Sequence, residues 1–488
     1  MATFQKHAAS GDGCAALLSV ALNHGACVSL SRQLYLQISE HIRSGRLAPG
    51  ARLTSTRKLS LDLGVSRTVT LTAYDQLASE GYIESIPGSG VRVSSLLGVR
   101  GQSRKQVERR FEADERGPGF LIEGQPFDPT AQVGTIFPRT AWVRLLARGW
   151  RKQGRDAEAQ GNWFGLPSLR DAIARHVYSL RGIVCTFEQI LITSGNADAL
   201  QLIVHGLAPT PGDRKAGVWI EDPGYLSARK ILADAGMCLI PVPIDDAGLD
   251  VAAGRRKREK ARFALVTPSR QFPLGMPLSL SRRLALITWA DDVGSILIED
   301  DYDTEVRFCG RPIPSLLSLD RDVNALSLGS FSKVTFPGLR LGYIVGNKRL
   351  IRRLAEARAR TGALIGTTAQ PALAEFLDEG GFARHMRQLR REVAARREAL
   401  VIALTERLAD KVTILPQEVG MHLTVTLKRG GASDAALSAK AATIGLHLQP
   451  LSAHFSRPTK RQGFLLGYAG WSNDKIVSAV DDLCKLLS

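Results

Sequence analysis

From about residue 118 onward the chain keeps to one repeating pattern. Short apolar runs that suit buried strands alternate with amphipathic stretches that suit helices. The strand candidates are 189–193, 217–221, 263–267, 295–299 and 325–328, and helices are expected at roughly 197–207, 224–236, 281–293 and 347–360. Neighbouring parallel strands need a crossover connection, and the crossover helices cover both faces of the sheet. The pattern therefore predicts an α/β domain on a mostly parallel sheet, over residues 118–370. After that the chain turns helical, with a long charged stretch at 380–408, and a small α/β subdomain at 371–488 closes it.

The N-terminal part follows a different rule. Residues 1–27 are irregular and rich in Ala, Gly and Ser, an arm without an evident fold. From Leu30, the spacing of Leu34, Ile38 and Ile42 predicts a helix that ends by Gly45 and Pro49-Gly50. Thr54 or Ser55 can cap a second helix through Leu59 and Leu63, and Ser66 can cap a third through Val69, Tyr74 and Leu77. Residues 82–86 and 91–93 then read as two strands about Pro87-Gly88-Ser89-Gly90. Residues 96–117 alternate basic and acidic groups with few apolar ones, which is a linker.

Three helices and a hairpin, over 28–95, is the α+β order of a winged helix-turn-helix, whose third helix enters the major groove. The side chains there suit DNA. Arg67 can pair with guanine, Ser66, Thr68 and Thr70 can reach phosphates or base edges, and Arg57 can anchor a phosphate. Gly88, Ser89 and Gly90 let the wing approach a duplex closely. A three-helix protein-interaction module is the plainer alternative. Local charge does not separate the two, since 28–95 holds eight Lys/Arg against five Asp/Glu.

The order helix, Leu-Gly-Val-Ser-Arg, helix, Glu-Gly-Tyr, wing is more specific, whereas charge over the whole chain fits DNA and simple solubility alike. Its 488 residues carry 64 Lys/Arg and 47 Asp/Glu, a net +17 that suits a polyanionic partner. The length calls for two or three domains. The six cysteines are scattered, without metal-binding spacing, which fits free thiols in a reducing compartment. No apolar run is long enough for a membrane span and no signal peptide is evident, so a cytoplasmic protein is expected.

The chemistry concentrates around Lys333, in Gly-Ser-Phe-Ser-Lys-Val-Thr-Phe-Pro-Gly-Leu-Arg-Leu-Gly (329–342). A lysine amine can condense with an aldehyde, and Ser330, Ser332 and Arg340 can converge on one phosphate. Asp300 ends an apolar strand, where its carboxylate can hold a pyridinium nitrogen, and Tyr302 can bond a phenolic oxygen. Gly195, Asn196 and Ala197 open a helix whose N–H groups can cradle a phosphate. Tyr225 can stack on a ring. These are the protein's parts for pyridoxal 5'-phosphate (PLP). Singly, each has an ordinary reading: a solvated lysine, a packed aromatic, a Ser-Gly turn.

Gly-Arg-Leu-Ala-Pro-Gly-Ala-Arg-Leu (45–53), Leu-Gly-Val-Ser-Arg (63–67) and Ala-Ser-Glu-Gly-Tyr-Ile-Glu-Ser-Ile-Pro-Gly-Ser-Gly (78–90) resemble the GntR family of bacterial regulators. Thr-Pro-Ser-Arg-Gln-Phe-Pro (267–273), Ile-Glu-Asp-Asp-Tyr-Asp-Thr-Glu (298–305) and the Lys333 run resemble fold-type-I aminotransferases. The fused order resembles the MocR-like subgroup of GntR regulators. That resemblance implies PLP bound covalently to Lys333, a cofactor role for Gln271, and a homodimer. Three departures stand out. Arg270 replaces a usual His and can select an acidic effector. Gln160 replaces a tyrosine that reaches the partner subunit's phosphate. Leu465 replaces a carboxylate-clamping arginine, for which Arg457 or Arg461 are candidate substitutes. The expected function is a PLP-dependent transcriptional regulator that senses PLP, an amine or an amino acid. The alternatives are an active aminotransferase fused to a DNA reader, and a dimerising scaffold that binds no PLP.

Overall fold

The computed structural model describes residues 20–25, 28–86, 90–95, 124–131, 136–153, 162–208, 217–308, 313–320, 322–428 and 431–488. The arm up to residue 19, the linker, Gly88, Ser89 and Gln160 lie outside the described residues. The chain divides into two compact units, Met1–Phe120 and Leu121–Ser488.

The first unit packs three helices against a hairpin. Helix α1 (Leu30–Arg43) starts at Ser29, whose hydroxyl accepts from the Arg32 amide, and it buries Leu34, Tyr35, Ile38 and Ile42 along one face. Helix α2 (Thr56–Leu63) is capped by Ser55 and stopped by Gly64 at φ 64°, a left-handed turn that favours glycine. Helix α3 (Arg67–Ser79) follows, with Ser66 at its N-cap. Strands β1 (Ile83–Ile86) and β2 (Gly90–Val93) pair antiparallel, with Ile83 opposite Val93 and Ile86 opposite Gly90. Leu34, Ile38, Leu77 and Val93, all fully buried, join the helices to the hairpin in one core. The Tyr74 hydroxyl ties α3 to the α2 approach by donating to the Thr54 carbonyl at 2.8 Å.

The second unit is built on an eight-stranded sheet. In chain order its strands are β3 (Ile190–Thr193), β4 (Gly217–Asp222), β5 (Cys238–Asp245), β6 (Gly248–Leu249), β7 (Phe263–Val266), β8 (Ile296–Asp300), β9 (Ala325–Ser330) and β10 (Gly342–Gly346). Their spatial order is β3-β10-β9-β8-β7-β4-β5-β6. The run from β9 to β5 is parallel, while β10 and β6 lie antiparallel to their neighbours. Three strands of this sheet escape the apolar-run pattern, and the two-residue β6 is too short to show one. β5 carries Pro241 and Pro243, which weigh against a strand by sequence but are tolerated close to the sheet edge. β10 is short and glycine-bounded. Both sheet faces are covered, and on one of them Trp219 stacks on Trp289 at 3.6 Å between ring centroids.

A four-stranded antiparallel sheet lies toward the C-terminus, in the order β11 (Val412–Ile414), β12 (His422–Leu427), β14 (Gly463–Gly467) and β13 (Gln449–Pro450). Phe127, fully buried, bridges to Gly467 of this sheet. Gly467 donates to the Phe127 carbonyl at 2.8 Å, and His447 donates to that of Pro126 at 2.9 Å. A Cβ at Gly467 would lie 2.1 Å from the Asp128 carbonyl oxygen, so the strap 124–130 fits only over a glycine. Among the described residues no helix is long and apolar enough to cross a membrane.

Candidate functional site

The sheet brings the C-terminal ends of several strands together around a pocket of about 470 Å³. β3 delivers Gly195, Asn196 and Ala197, where Gly195 has φ 110° and helix Asn196–Leu207 begins. β4 leads to Tyr225, β8 to Asp300 and Tyr302, and β9 to Ser330, Ser332 and Lys333. Arg340 lines the same pocket and holds a left-handed backbone at φ 48°. This is the edge where open α/β sheets bind ligands, because loops there leave the sheet in opposite directions.

Three consecutive acids stand at the end of β8. Glu299 is fully buried off the pocket lining, Asp301 borders the pocket beside Asp300, and the two share Arg181. Arg181 donates to Glu299 at 2.9 Å and to the Ser269 hydroxyl at 2.7 Å, and forms an ion pair with Asp301. Ser315 and the Leu316 amide complete the bonds to Glu299. Asp300 lines the pocket and accepts from Asn196 Nδ2 at 2.6 Å. Burial pushes its carboxyl up to about 7, against the pull of the Lys333 charge and the Asn196 bond.

Lys333 Nζ lies 2.8 Å from Asp303 Oδ1 and 5.1 Å from the centre of the Tyr302 ring. The Tyr302 hydroxyl is buried without a hydrogen-bond partner, and burial pushes its pKa above the usual phenol range. Phe272 stands edge-on to Tyr225, Tyr302 and His422, at 5.4, 5.5 and 5.5 Å. The Ser332 hydroxyl accepts from the Leu341 amide at 3.2 Å, which fixes its side chain at the pocket wall.

Four residues singled out by sequence lie elsewhere. Gln271 is 1 % exposed and does not line the pocket. Its amide donates to Glu221 at 3.2 Å and to the Pro223 carbonyl at 2.9 Å, so it braces a loop. Arg270 is equally buried, and points at Asp303, Gln417 and His422 rather than into open space. Arg457 and Arg461 are exposed and away from the pocket lining. Where an arginine clamp would stand, Leu465 is fully buried among Phe272, Leu274 and Leu451. The sequence reading also missed Asp303 and His422, both of which line the pocket. Asp303 sits in a run of acids of which Asp300, Asp301, Asp303 and Glu305 all line the pocket, and nothing local in the sequence marks the one that pairs with Lys333.

On the first unit, Arg57, Ser66, Arg67, Thr68 and Gly90 are exposed. Ser66 makes no side-chain capping bond, which leaves its hydroxyl available. Thr70 is a correction: it is fully buried and donates to the Thr56 and Arg67 carbonyls, both at 3.0 Å. The helical period from Arg67 brings Leu71 and Thr72 to the exposed face instead. Lys58 is exposed beside Arg57, and the sequence reading passed over it.

Two family profiles match the chain. Residues 30–93 match "Bacterial regulatory proteins, gntR family", and residues 128–460 match "Aminotransferase class I and II". The probable rhizopine catabolism regulatory protein MocR of Rhizobium meliloti is 35% identical over 459 residues, 92% of each chain. The pyridoxine biosynthesis regulator PdxR of Corynebacterium glutamicum is 34% identical over 461 residues, 94% of this chain and 96% of that one. The chain belongs to the MocR-like subgroup of the gntR family. As a MocR-like protein it is a DNA-binding transcriptional regulator that carries an aminotransferase-fold domain. Among solved structures, the α-aminoadipate aminotransferase LysN of Thermus thermophilus matches with a TM-score of 0.67 and 27% identity, over 75% of this chain and 93% of that one.

The aminotransferase fold of this MocR-like chain implies PLP, and the residues present fit it. The pocket holds a primary amine, a buried carboxylate at a strand end, and a buried phenol with an unmade hydrogen bond. A glycine turn at a helix N-terminus, two serines and an arginine line the same space.

Proposed function

We propose that this regulator binds PLP through Lys333, and that PLP or a primary amine reaching the pocket sets how the regulator engages its operator. The observation that carries the reading is the Lys333 amine in one pocket with Asp300 and the partnerless Tyr302 hydroxyl. When bound, PLP supplies an aldehyde open to amines and a pyridine ring that withdraws electrons once its nitrogen is protonated. Lys333 provides the attacking nitrogen, and Asp303 holds that nitrogen in place beforehand. Asp300 would hold the proton on the pyridine nitrogen, and Tyr302 would donate to the ring oxygen. Ser330, Ser332, Arg340 and the N–H groups at Asn196 and Ala197 would take the phosphate. Tyr225, edge-on to Phe272, would lie against the ring.

The reader acts through Arg57, Ser66, Arg67 and Thr68, with the hairpin beside them. We place the working form as a homodimer in the cytoplasm. Sensing rather than turnover is favoured because the Leu465 position is closed by apolar packing and Arg457 and Arg461 stand away from the pocket. An amino-acid substrate would need a fixed cation to orient its carboxylate.

The test is to add PLP to the purified protein, reduce with borohydride and map the modified peptide. Attachment at Lys333 is expected. A protein that stays colourless in excess PLP would overturn the reading.

A further inference from the structure

We propose that Asp303 reports whether Lys333 is free or covalently occupied, and that Arg270 passes this state to the C-terminal sheet. The proposal rests on PLP attachment at Lys333 and deepens it by naming how occupancy is read. Asp303 is held at φ 55°, a left-handed conformation that a non-glycine residue adopts at some cost. Its side chain is fully buried between two cations. The sharing is uneven: Oδ1 lies 2.8 Å from Lys333 Nζ, whereas Oδ2 lies 3.5 Å from Arg270 Nη1.

Arg270 is seated mostly on other partners. Its Nη2 donates to Gln417 Oε1 and to the His422 carbonyl, both at 3.0 Å, and its Nε is buried without an acceptor. A Cβ at Gly420 would lie 2.2 Å from Arg270 Nη1, so the guanidinium rests directly on that backbone. Gln417, Gly420 and His422 form the approach to β12. Arg270 therefore joins the pocket's carboxylate to the C-terminal sheet.

Attachment changes this arrangement. The Lys333 ammonium, 32% exposed, first gives up one proton to solvent. The amine nitrogen then forms a C=N bond to the aldehyde carbon, the C=O bond breaks, and the oxygen leaves as water with the two remaining N–H hydrogens. Nζ loses its three donors. A carboxylate whose side chain is fully buried, and which loses its ammonium partner, turns to the nearest other cation. That cation is Arg270, and closing the 3.5 Å gap draws the guanidinium off Gln417 and His422. An effector amine that takes over the bond to the same carbon returns its own two N–H hydrogens to Lys333, which takes a third proton from solvent, and Asp303 recovers its ammonium partner. The pocket's chemical state thus biases two arrangements of one buried cluster, as a sensor requires.

The test follows amide hydrogen exchange of full-length protein, with and without PLP, while visible absorbance reports loading. In the wild type, loading is expected to speed exchange several-fold at 417–422 and to slow it at the pocket segment 193–200. Arg270→Gln is expected to load PLP and slow 193–200 equally, but to show no change at 417–422. Arg270→Lys, which keeps the charge with less disturbance of the core, is expected to show an attenuated change. An unchanged 417–422 response in Arg270→Gln, or no response in a loaded wild type, overturns the relay. A wild type that gains no absorbance overturns the parent reading of PLP binding instead.

Discussion

The DNA-reading unit and the pocket place their working residues in opposite ways. On the reader, Arg57, Ser66, Arg67 and Thr68 are exposed on helices whose apolar faces are already satisfied, so the function rides on a finished scaffold. In the pocket, charged groups from β8, β9 and the loop after β7 are packed against one another, so fold and site are made of the same contacts. A surface site can change without disturbing the core beneath it. A site built from buried charges cannot, because each group depends on a partner from a distant segment.

The largest expected effect tests the pocket side of this contrast. Lys333→Ala should abolish the visible absorbance that PLP gives, while operator binding in a mobility-shift assay persists; loss of both would mean the two sites are not separately built. On the reader, Arg67→Ala should cost about 1–3 kcal/mol in operator binding and leave PLP absorbance untouched. Thr70→Val sharpens the boundary. It should lower the stability of the reader by about 1 kcal/mol, read as a shift in chemical denaturation, with little change in operator affinity once folded. A large affinity loss in the folded variant would return Thr70 to the DNA face.

The smallest effect concerns pH. Burial raises Glu305 to about 8 and Glu221 to about 7, far above the ordinary value of about 4.3. A carboxyl raised on folding favours the folded state below its unfolded value and loses that advantage as pH rises through the folded value. The PLP-free protein should therefore lose thermal stability as pH rises from about 4.5 to about 8, and Glu305→Gln should flatten that decline, most visibly between about pH 7 and 8. An identical slope in the variant would remove Glu305 from the account.

The contrast also explains what sequence could disclose. Helix caps at Ser29 and Ser55, the turn at Gly64 and the apolar spacing of α1 are local signals, and they outline the reader directly. The pocket's strand ends were legible because apolar runs stop at Thr193, Asp300 and Ser330. Side-chain direction was not. Thr70 looks like a groove residue until the approach to α2 lies over it, and Gln271 looks like a ligand group until Glu221 claims its amide. Arg270 reads as a free cation in the sequence, yet its partners arrive from about 150 residues downstream.

The strap at 124–130 gives the fold a mechanical consequence. Pro129 and Thr130 border the pocket, and two residues earlier Phe127 is pinned to Gly467. Tyr468, next to Gly467, donates its hydroxyl to the Gly420 carbonyl at 2.6 Å, on the same backbone where Arg270 rests. The first described segment of the second unit thus rests on the same backbone that carries Arg270, and a small rearrangement around one buried acid would reach it through Gly420 and Tyr468.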